Sequence, residues 1–239
     1  IVMALGISDA ATRLHASQGW QPYRGAITQL VRRNRTLRKR DAILRALQKA
    51  NKVRFPLSRL SSSDGTIEEP EIDDALINDL AACWRASRAS WPAAVDRSAP
   101  YLRWRYLEHP TADYRATVMR DKSGTIVAAL IWRFGDRQAA IVDLIGPAGH
   151  ASMKRKLVAN VFGRLRRADV IKCTTSDAAL KTALLSCGAY MPRSSVVRFN
   201  LWERQPNEVH LADRSWLIMG GDSDGEFLDA TASGGPPAP

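Results

Sequence analysis

AIVDLIGPAGHASMKRKLV, Ala140 to Val158, changes its periodicity half-way along, and that change decides the fold. Ile141, Val142, Leu144 and Ile145 form the short apolar run of a buried strand, interrupted by one carboxylate, Asp143. Gly146-Pro147-Ala148-Gly149-His150-Ala151 then supplies the glycines and proline of a turn. Beyond it Leu157, Val158, Val161, Phe162 and Leu165 recur at helical spacing, which predicts an amphipathic helix over roughly Ser152 to Arg166. A strand that hands over to a helix through a glycine turn belongs to a mixed α/β architecture.

Upstream, YRATVMRD, TIVAALIWRF and QAAIVDLIG are separated by the turn signals KSG and GDR, which predicts a three-stranded antiparallel meander. Before the meander, Leu76, Leu80, Cys83 and Trp84 mark a helix over about Ala75 to Ser87, and SAPYLRWRYLEHP reads as a second helix stopped by Pro110. Residues 55–74, Ser-rich and then acidic, read as a linker. Downstream come a strand ADVIKCTT, a helix, and strands within SSVVRFNLW and EVHLADRSWLIMG. The final Gly/Pro/Ser/Asp-rich stretch, 221–239, is expected to be a flexible tail, with Asp222, Ser223 and Asp224 an acidic turn rather than a metal site.

One pattern occurs twice. SDAATRLHASQGW, Ser8 to Trp20, is echoed by SDAALKTALLSCGAY, Ser176 to Tyr190. Each reads as a helix capped by Ser or Asp and stopped by a glycine, Gly19 or Gly188, that takes the left-handed conformation cheaply. A spacing of ~170 residues points to two related domains, because solenoid repeats are far shorter.

With 45% hydrophobic and 25% charged residues the chain is of the soluble globular class, and no apolar run approaches the roughly 20 residues of a spanning helix. The opening IVMALGISDA lacks a basic leader and does not read as a signal peptide. Three cysteines, Cys83, Cys173 and Cys187, have neither metal-ligand spacing nor an even count, so a cytoplasmic location and no metal are expected. The net charge of +11 is concentrated in residues 32–54, around RRNRTLRKR. Such a cluster suits an anionic surface, nucleic acid or lipid headgroups; equally, it is the solvated face of an amphipathic helix with Ile43, Leu44 and Leu47 opposite.

The order of two helices, three antiparallel strands, helix, strand, helix and final strands resembles the GNAT N-acetyltransferase superfamily, and the residues that carry the likeness are AIVDLIGPAGHASMKRKLV, ADVIKCTT and SDAALKTALLSCGAY. YLRWRYLEHP and WLIMGGDSDG are similar to segments flanking the core of bacterial members. The resemblance implies an α/β (α+β) fold, a mixed, mostly antiparallel sheet flanked by helices. It also implies acetyl-CoA or another acyl-CoA as co-substrate, and transfer of its acyl group to a small-molecule or glycan-precursor amine. On this reading residues 1–32 are the C-terminal remnant of a first GNAT-like domain, 33–74 a basic helix and linker, and 75–220 a second, complete domain. The runner-up reading is a domain that keeps the fold without the chemistry, as a binding or homodimerisation module.

The same resemblance assigns the cofactor's diphosphate to the turn, Ile145, Gly146, Gly149, His150 and Ala151, where backbone amides at a helix N-terminus hold an anion. Gly149 and Ala151 fit the family's pattern, whereas Gly146 stands where Gln or Arg is usual and Pro147 removes a donor. The family often places a tyrosine acid four residues before the late glycine. Leu184 holds that place in the second copy and His15, which titrates near neutrality, in the first. Asp143 is the candidate base for the amine, or alternatively a carboxylate that stabilises the fold. A V-shaped gap between AIVDLIG and DVIKCTT is expected to receive the thioester, with Arg103, Arg105 and Arg133 as further anion-binding candidates.

Overall fold

The computed structural model describes residues 2–6, 8–34, 65–135, 137–193, 197–202 and 214–222. In chain order the strands are β1 (Val2–Leu5), β2 (Gln21–Pro22), β3 (Thr28–Arg33), β4 (Thr66–Glu68), β5 (Ala93–Ala94), β6 (Tyr114–Arg120), β7 (Ile126–Phe134), β8 (Gln138–Ile145), β9 (Val170–Thr175), β10 (Phe199–Trp202) and β11 (Trp216–Leu217). The helices are α1 (Asp9–Ser17), α2 (Asp74–Ser87), α3 (Ala99–Leu102), α4 (Ala151–Arg164) and α5 (Ala178–Ser186).

The expected meander is present as β6, β7 and β8, each antiparallel to the next. It forms the middle of a six-stranded sheet in the order β3-β9-β8-β7-β6-β4, in which only β8 and β9 run parallel. Helix α4 crosses over between these two, as a parallel pair requires. The core is built on this sheet from Leu130, Ile131, Val142 and Leu144 together with Leu80 and Trp84 of α2 and Leu157, Val158 and Val161 of α4, all almost fully buried. Each such side chain withdrawn from water contributes about 1.5–3 kcal/mol.

Four boundaries differ from the sequence reading, each because a distant contact outweighs local composition. Residues 66–68 of the supposed linker pair with β6 as an edge strand. The helix expected over SAPYLRWRYLEHP is α3 followed by a π-helical turn, Arg103–Leu107, closed by the Glu108 N–H donating to the Arg103 carbonyl at 2.9 Å. The final strands are short, and β11 pairs with β5, which the sequence did not announce. Asp222, placed in the flexible tail by its composition, sits in a short 3-10 turn with its side chain only 3% exposed.

The two echo helices begin and end alike. Ser8 caps α1 and Asp177 caps α5, each accepting from the amide three residues on, and Gly19 and Gly188, both left-handed, stand at the same spacing beyond those caps. A strand downstream of each helix pairs with the strand that precedes the other helix. β3, after α1, lies antiparallel to β9; β10, after α5, lies antiparallel to β1. The short stretch after each glycine closes the same pattern, with β2 beside β10 and Tyr190 bridged to Val31 of β3. Where the two exchanged strands enter, Val197 N–H donates to the carbonyl of fully buried Ile27 at 3.0 Å. β1, β2 and β3 are thus divided between a three-stranded sheet, β1-β10-β2, and the edge of the six-stranded one.

Candidate functional site

β8 and β9 are paired from Gln138 opposite Val170 as far as Ile141 opposite Cys173, and no further. At that point β8 carries a bulge: Ile131 of β7 faces Asp143 and its neighbour Trp132 faces Ile141, leaving Val142 as the extra residue. A bulge bends its strand and ends pairing on one side. β8 therefore stays on β7 to Ile145 while β9 stays on β3 to Thr175, and the two part. The gap anticipated between these strands exists, and the chain's own C-terminal segment fills it. Met219 bridges to Thr175, Ser176 N–H donates to the Ile218 carbonyl at 3.0 Å, and Gly220–Asp222 lies against both strands.

That segment carries Asp222 into a buried ion cluster. The Arg97 guanidinium donates through Nη2 to Asp143 Oδ1 at 2.9 Å and to both Asp222 oxygens at 3.0 Å, and through Nε to Asp143 at 3.1 Å. Tyr106, turned inward by the π-helical turn, donates its hydroxyl to Asp143 Oδ2 at 2.9 Å, and Leu144 N–H donates to Oδ1. Arg97 is completely buried and lies over the Trp84 ring, 5.1 Å from its centroid. Burial opposes its charge, but Asp143 and Asp222 outweigh burial and hold it above its ordinary value. Burial also pushes Asp222 up to about 6, with Arg97 opposing and the Asp143 charge adding. Burial, then the Asp143 charge, raise the Tyr106 hydroxyl well above the usual phenol range. Both oxygens of Asp143 are engaged, an arrangement suited to the holding role left open for it.

The turn after β8 runs from buried Gly146 out to solvent at Gly149 and His150. Gly146 has φ +144°, and a Cβ there would press on Ala128 at 3.1 Å. Its carbonyl accepts from Trp91 Nε1 at 2.9 Å, and the Ala148 amide donates to Ser90 Oγ at 2.9 Å, so the first half of the turn is braced from below. Gly149 (φ +75°) and His150 (φ +52°) are both left-handed, and a Cβ on Gly149 would have no atom within 4 Å. Ala151 opens α4, whose first internal bond runs from Lys154 N–H to the His150 carbonyl. The amides of the preceding first turn point out of the helix, and no group among the described residues accepts from them. Ile145 is fully buried and anchors the strand end, while Gly149 and His150 face solvent. An anion at this place meets helix-end amides and the positive end of the helix dipole.

The remaining candidates lie elsewhere. His15 is half-buried, stacked on Trp20 with ring centroids 4.4 Å apart, and its Nδ1 is 3.5 Å from the Asn200 side-chain nitrogen. Its contacts belong to the three-stranded sheet, not to the turn or the ion cluster. Leu184 is packed in the core. Arg103 pairs with Asp74, and Arg105 is buried. Arg32, at the start of the basic stretch, lies 4.5 Å from the Phe162 ring centroid and donates to the Cys187 carbonyl; Arg33 donates to the Tyr190 hydroxyl. Residues 35–54, Ser194, Ser195, His210, Ser223 and Asp224 lie outside the described residues. Among the described residues no group of three or more His, Cys, Asp or Glu is placed to hold a metal, and no helix is long and apolar enough to cross a membrane. Sequence reasoning missed Arg97, Trp91 and Ser90. The signal for the cluster lay in YLRWRYLEHP and WLIMGGDSDG, whose Tyr106 and Asp222 meet around Arg97 and Asp143.

No protein-family description matches the sequence, and no curated protein does. Solved structures do resemble it. A conserved protein of unknown function from Enterococcus faecalis V583, described as a probable N-acyltransferase, matches 83% of this chain with a TM-score of 0.53 at 10% identity. N-myristoyltransferase of Saccharomyces cerevisiae, solved with myristoyl-CoA and inhibitors bound, matches 90% with a TM-score of 0.52 at 7% identity. The chain spans 45% and 56% of their respective lengths. It has the GNAT-like acyl-CoA N-acyltransferase fold, a mixed and mostly antiparallel sheet flanked by helices.

Proposed function

We propose that this chain serves the transfer of an acyl group from an acyl-CoA thioester to an amine, with the turn Gly146–Ala151 as the seat of the cofactor's diphosphate. The observation that carries this reading is the exposed, left-handed turn at the N-terminus of α4, directly after the bulged strand. Gly149 leaves room for close approach, and the amides of His150 and Ala151 supply donors; Pro147 has none and Ala148 is committed to Ser90. When bound, acyl-CoA supplies the activated carbonyl that an amine attacks. The acceptor fits the class of small-molecule or glycan-precursor amines, and acetyl-CoA is the first co-substrate to try.

A second reading is favoured by Met219–Asp222, which fills the space between the parted strands where the thioester end of the cofactor was expected. On it this half of the chain keeps the fold as a binding or dimerisation module, and chemistry belongs to the His15 copy.

Calorimetric titration of acetyl-CoA, and of a long-chain acyl-CoA, into the full chain separates the two. Gly149→Ala and Gly149→Glu impose the same left-handed strain, but only the second adds a carboxylate facing the diphosphate. Micromolar binding that survives Gly149→Ala and weakens at least ~10-fold in Gly149→Glu, a loss of about 1.4 kcal/mol, supports the first reading. Absence of binding, or equal binding by both variants, overturns it.

A further inference from the structure

β8 runs from Gln138 to Ile145, and the Gly146–Ala151 turn stands at only one end of the sheet. At the other end four strands are lined up: Gln138 of β8 lies opposite Val170 of β9, Val170 opposite Arg33 of β3, and Phe134 of β7 beside Ala139. Neighbouring strands lie about 4.8 Å apart, so this rim is roughly 15 Å wide from β7 to β3. Asn34 ties it to the end of α4. Its backbone N–H donates to the Asp169 carbonyl at 2.9 Å, and its side chain donates to the carbonyls of Leu165 and Ala168 at 2.9 and 2.8 Å. The 3-10 turn Leu165–Arg167 that follows α4 is thereby clamped against the end of β3.

The clamp gathers arginines. Arg32 and Arg33 stand on β3, Arg166 and Arg167 are exposed on the 3-10 turn, and Arg137 is exposed where the β7–β8 hairpin returns. Opposing them are Asp169, which Arg137 already matches at 2.6 Å, and, in the sequence of the hairpin, Asp136. Burial lowers the Arg32 guanidinium from its ordinary value; Cys187 opposes this, and the nearby charge of Arg166 adds to it. Guanidinium groups held side by side by backbone bonds repel one another, and an anion relieves that repulsion. At the same rim Phe134 closes β7 with 43% of its surface exposed.

We infer that this rim is a docking surface for an anionic lipid bilayer, with Arg33, Arg137, Arg166 and Arg167 on the headgroup phosphates and Phe134 entering the acyl boundary. The planar fork of a guanidinium matches the oxygens of a phosphate, and basic side chains around an exposed aromatic ring form an interfacial anchor. Nucleic acid is the poorer partner, because a bound strand stacks successive bases on successive aromatic rings along a groove, and the hairpin offers one ring at its tip. The length of β8 separates the two ends of the sheet by roughly 25 Å. A molecule docked by this rim therefore turns the Gly146–Ala151 turn away from the bilayer and toward water. The inference rests on the rim alone and stands whether or not that turn binds acyl-CoA.

Flotation of the full chain with vesicles tests it. Equimolar phosphatidylcholine–phosphatidylglycerol vesicles are expected to carry the protein at about 0.1 M salt and to release it at about 1 M, and pure phosphatidylcholine vesicles to leave it behind. Arg166→Glu combined with Arg167→Glu is expected to weaken binding at least ~10-fold and to leave the Tm unchanged. Cys83, Cys173 and Cys187 are all buried, so a polarity-sensitive dye coupled to Phe134→Cys reports that position, and its emission is expected to move to the blue on the anionic vesicles. Failure to float, an unmoved emission, or flotation untouched by the double charge reversal overturns the inference. So does binding of duplex DNA that the reversal abolishes while vesicles stay unbound, which would assign the rim to nucleic acid.

Discussion

Arg97, Asp143 and Asp222 together leave one net negative charge inside the protein, and the consequence falls on Asp222. Its carboxyl titrates near 6 when folded, against 3.8 when free, because burial disfavours the anion more than Arg97 favours it. A raised carboxyl pKa means that the folded state holds a proton that the unfolded state has released. Asp222 therefore contributes most below pH about 4, and that contribution is lost as pH rises through about 6, a change of roughly 2–3 kcal/mol. Asp222→Asn is expected to gain stability relative to the parent over this interval, read as the difference in urea midpoints at pH 4.5 and 7; parallel pH profiles would refute it. Sequence alone could not reach this residue. Its glycine-rich surroundings report a turn, while its partner Arg97 stands 125 positions away. Asp143, by contrast, was legible as a lone carboxylate in an apolar strand, where burial demands a partner.

Elements whose own side chains repeat at a clear period were legible: β6 to β8, α2 and α4 lie close to where their periodicity put them. β4, β5 and β11 were not, because strands of two or three residues have no period to read and exist through their partners. The Gly146–Ala151 turn was legible as glycine punctuation, but the bracing by Trp91 and Ser90 is a tertiary fact. Two predictions belong to this scale. The segment filling the gap approaches β8 so closely that a Cβ on Gly221 would lie 2.6 Å from the Tyr106 hydroxyl and 2.9 Å from the Val142 carbonyl oxygen. Gly221→Ala is accordingly expected to cost about 1–3 kcal/mol in chemical denaturation, and an unchanged midpoint would show that the segment can draw away freely. Helices α4 and α5 are locked by Lys154, fully buried, donating to the capping carboxylate Asp177 at 2.7 Å. Lys154→Ala leaves that carboxylate buried and uncompensated and is expected to cost about 3–5 kcal/mol, whereas Lys154→Met with Asp177→Asn should recover most of it.

At the scale of the molecule, the echo between residues 8–20 and 176–190 was visible in sequence, but the strand pairings around it were not. The sequence left each cap open between its serine and its aspartate; the structure uses Ser8 in one and Asp177 in the other, because the hydrogen bond to the first turn and not the letter defines the start of a helix. Nor did either copy announce that its last strand would leave for the other's sheet. A strand's pattern states which face is buried and is silent about whose edge it joins. The exchange binds residues 2–34 and 65–222 as two hands that grip each other's wrists. Severing the backbone once between Asn34 and Gly65, through an inserted protease site, should therefore release nothing. The two pieces are expected to leave a gel-filtration column together at the volume of the uncut protein and to separate only in denaturant. Made as separate polypeptides, each lacks the strand that finishes its sheet, so the pair would work as a split protein whose assembly reports that its two carriers have met.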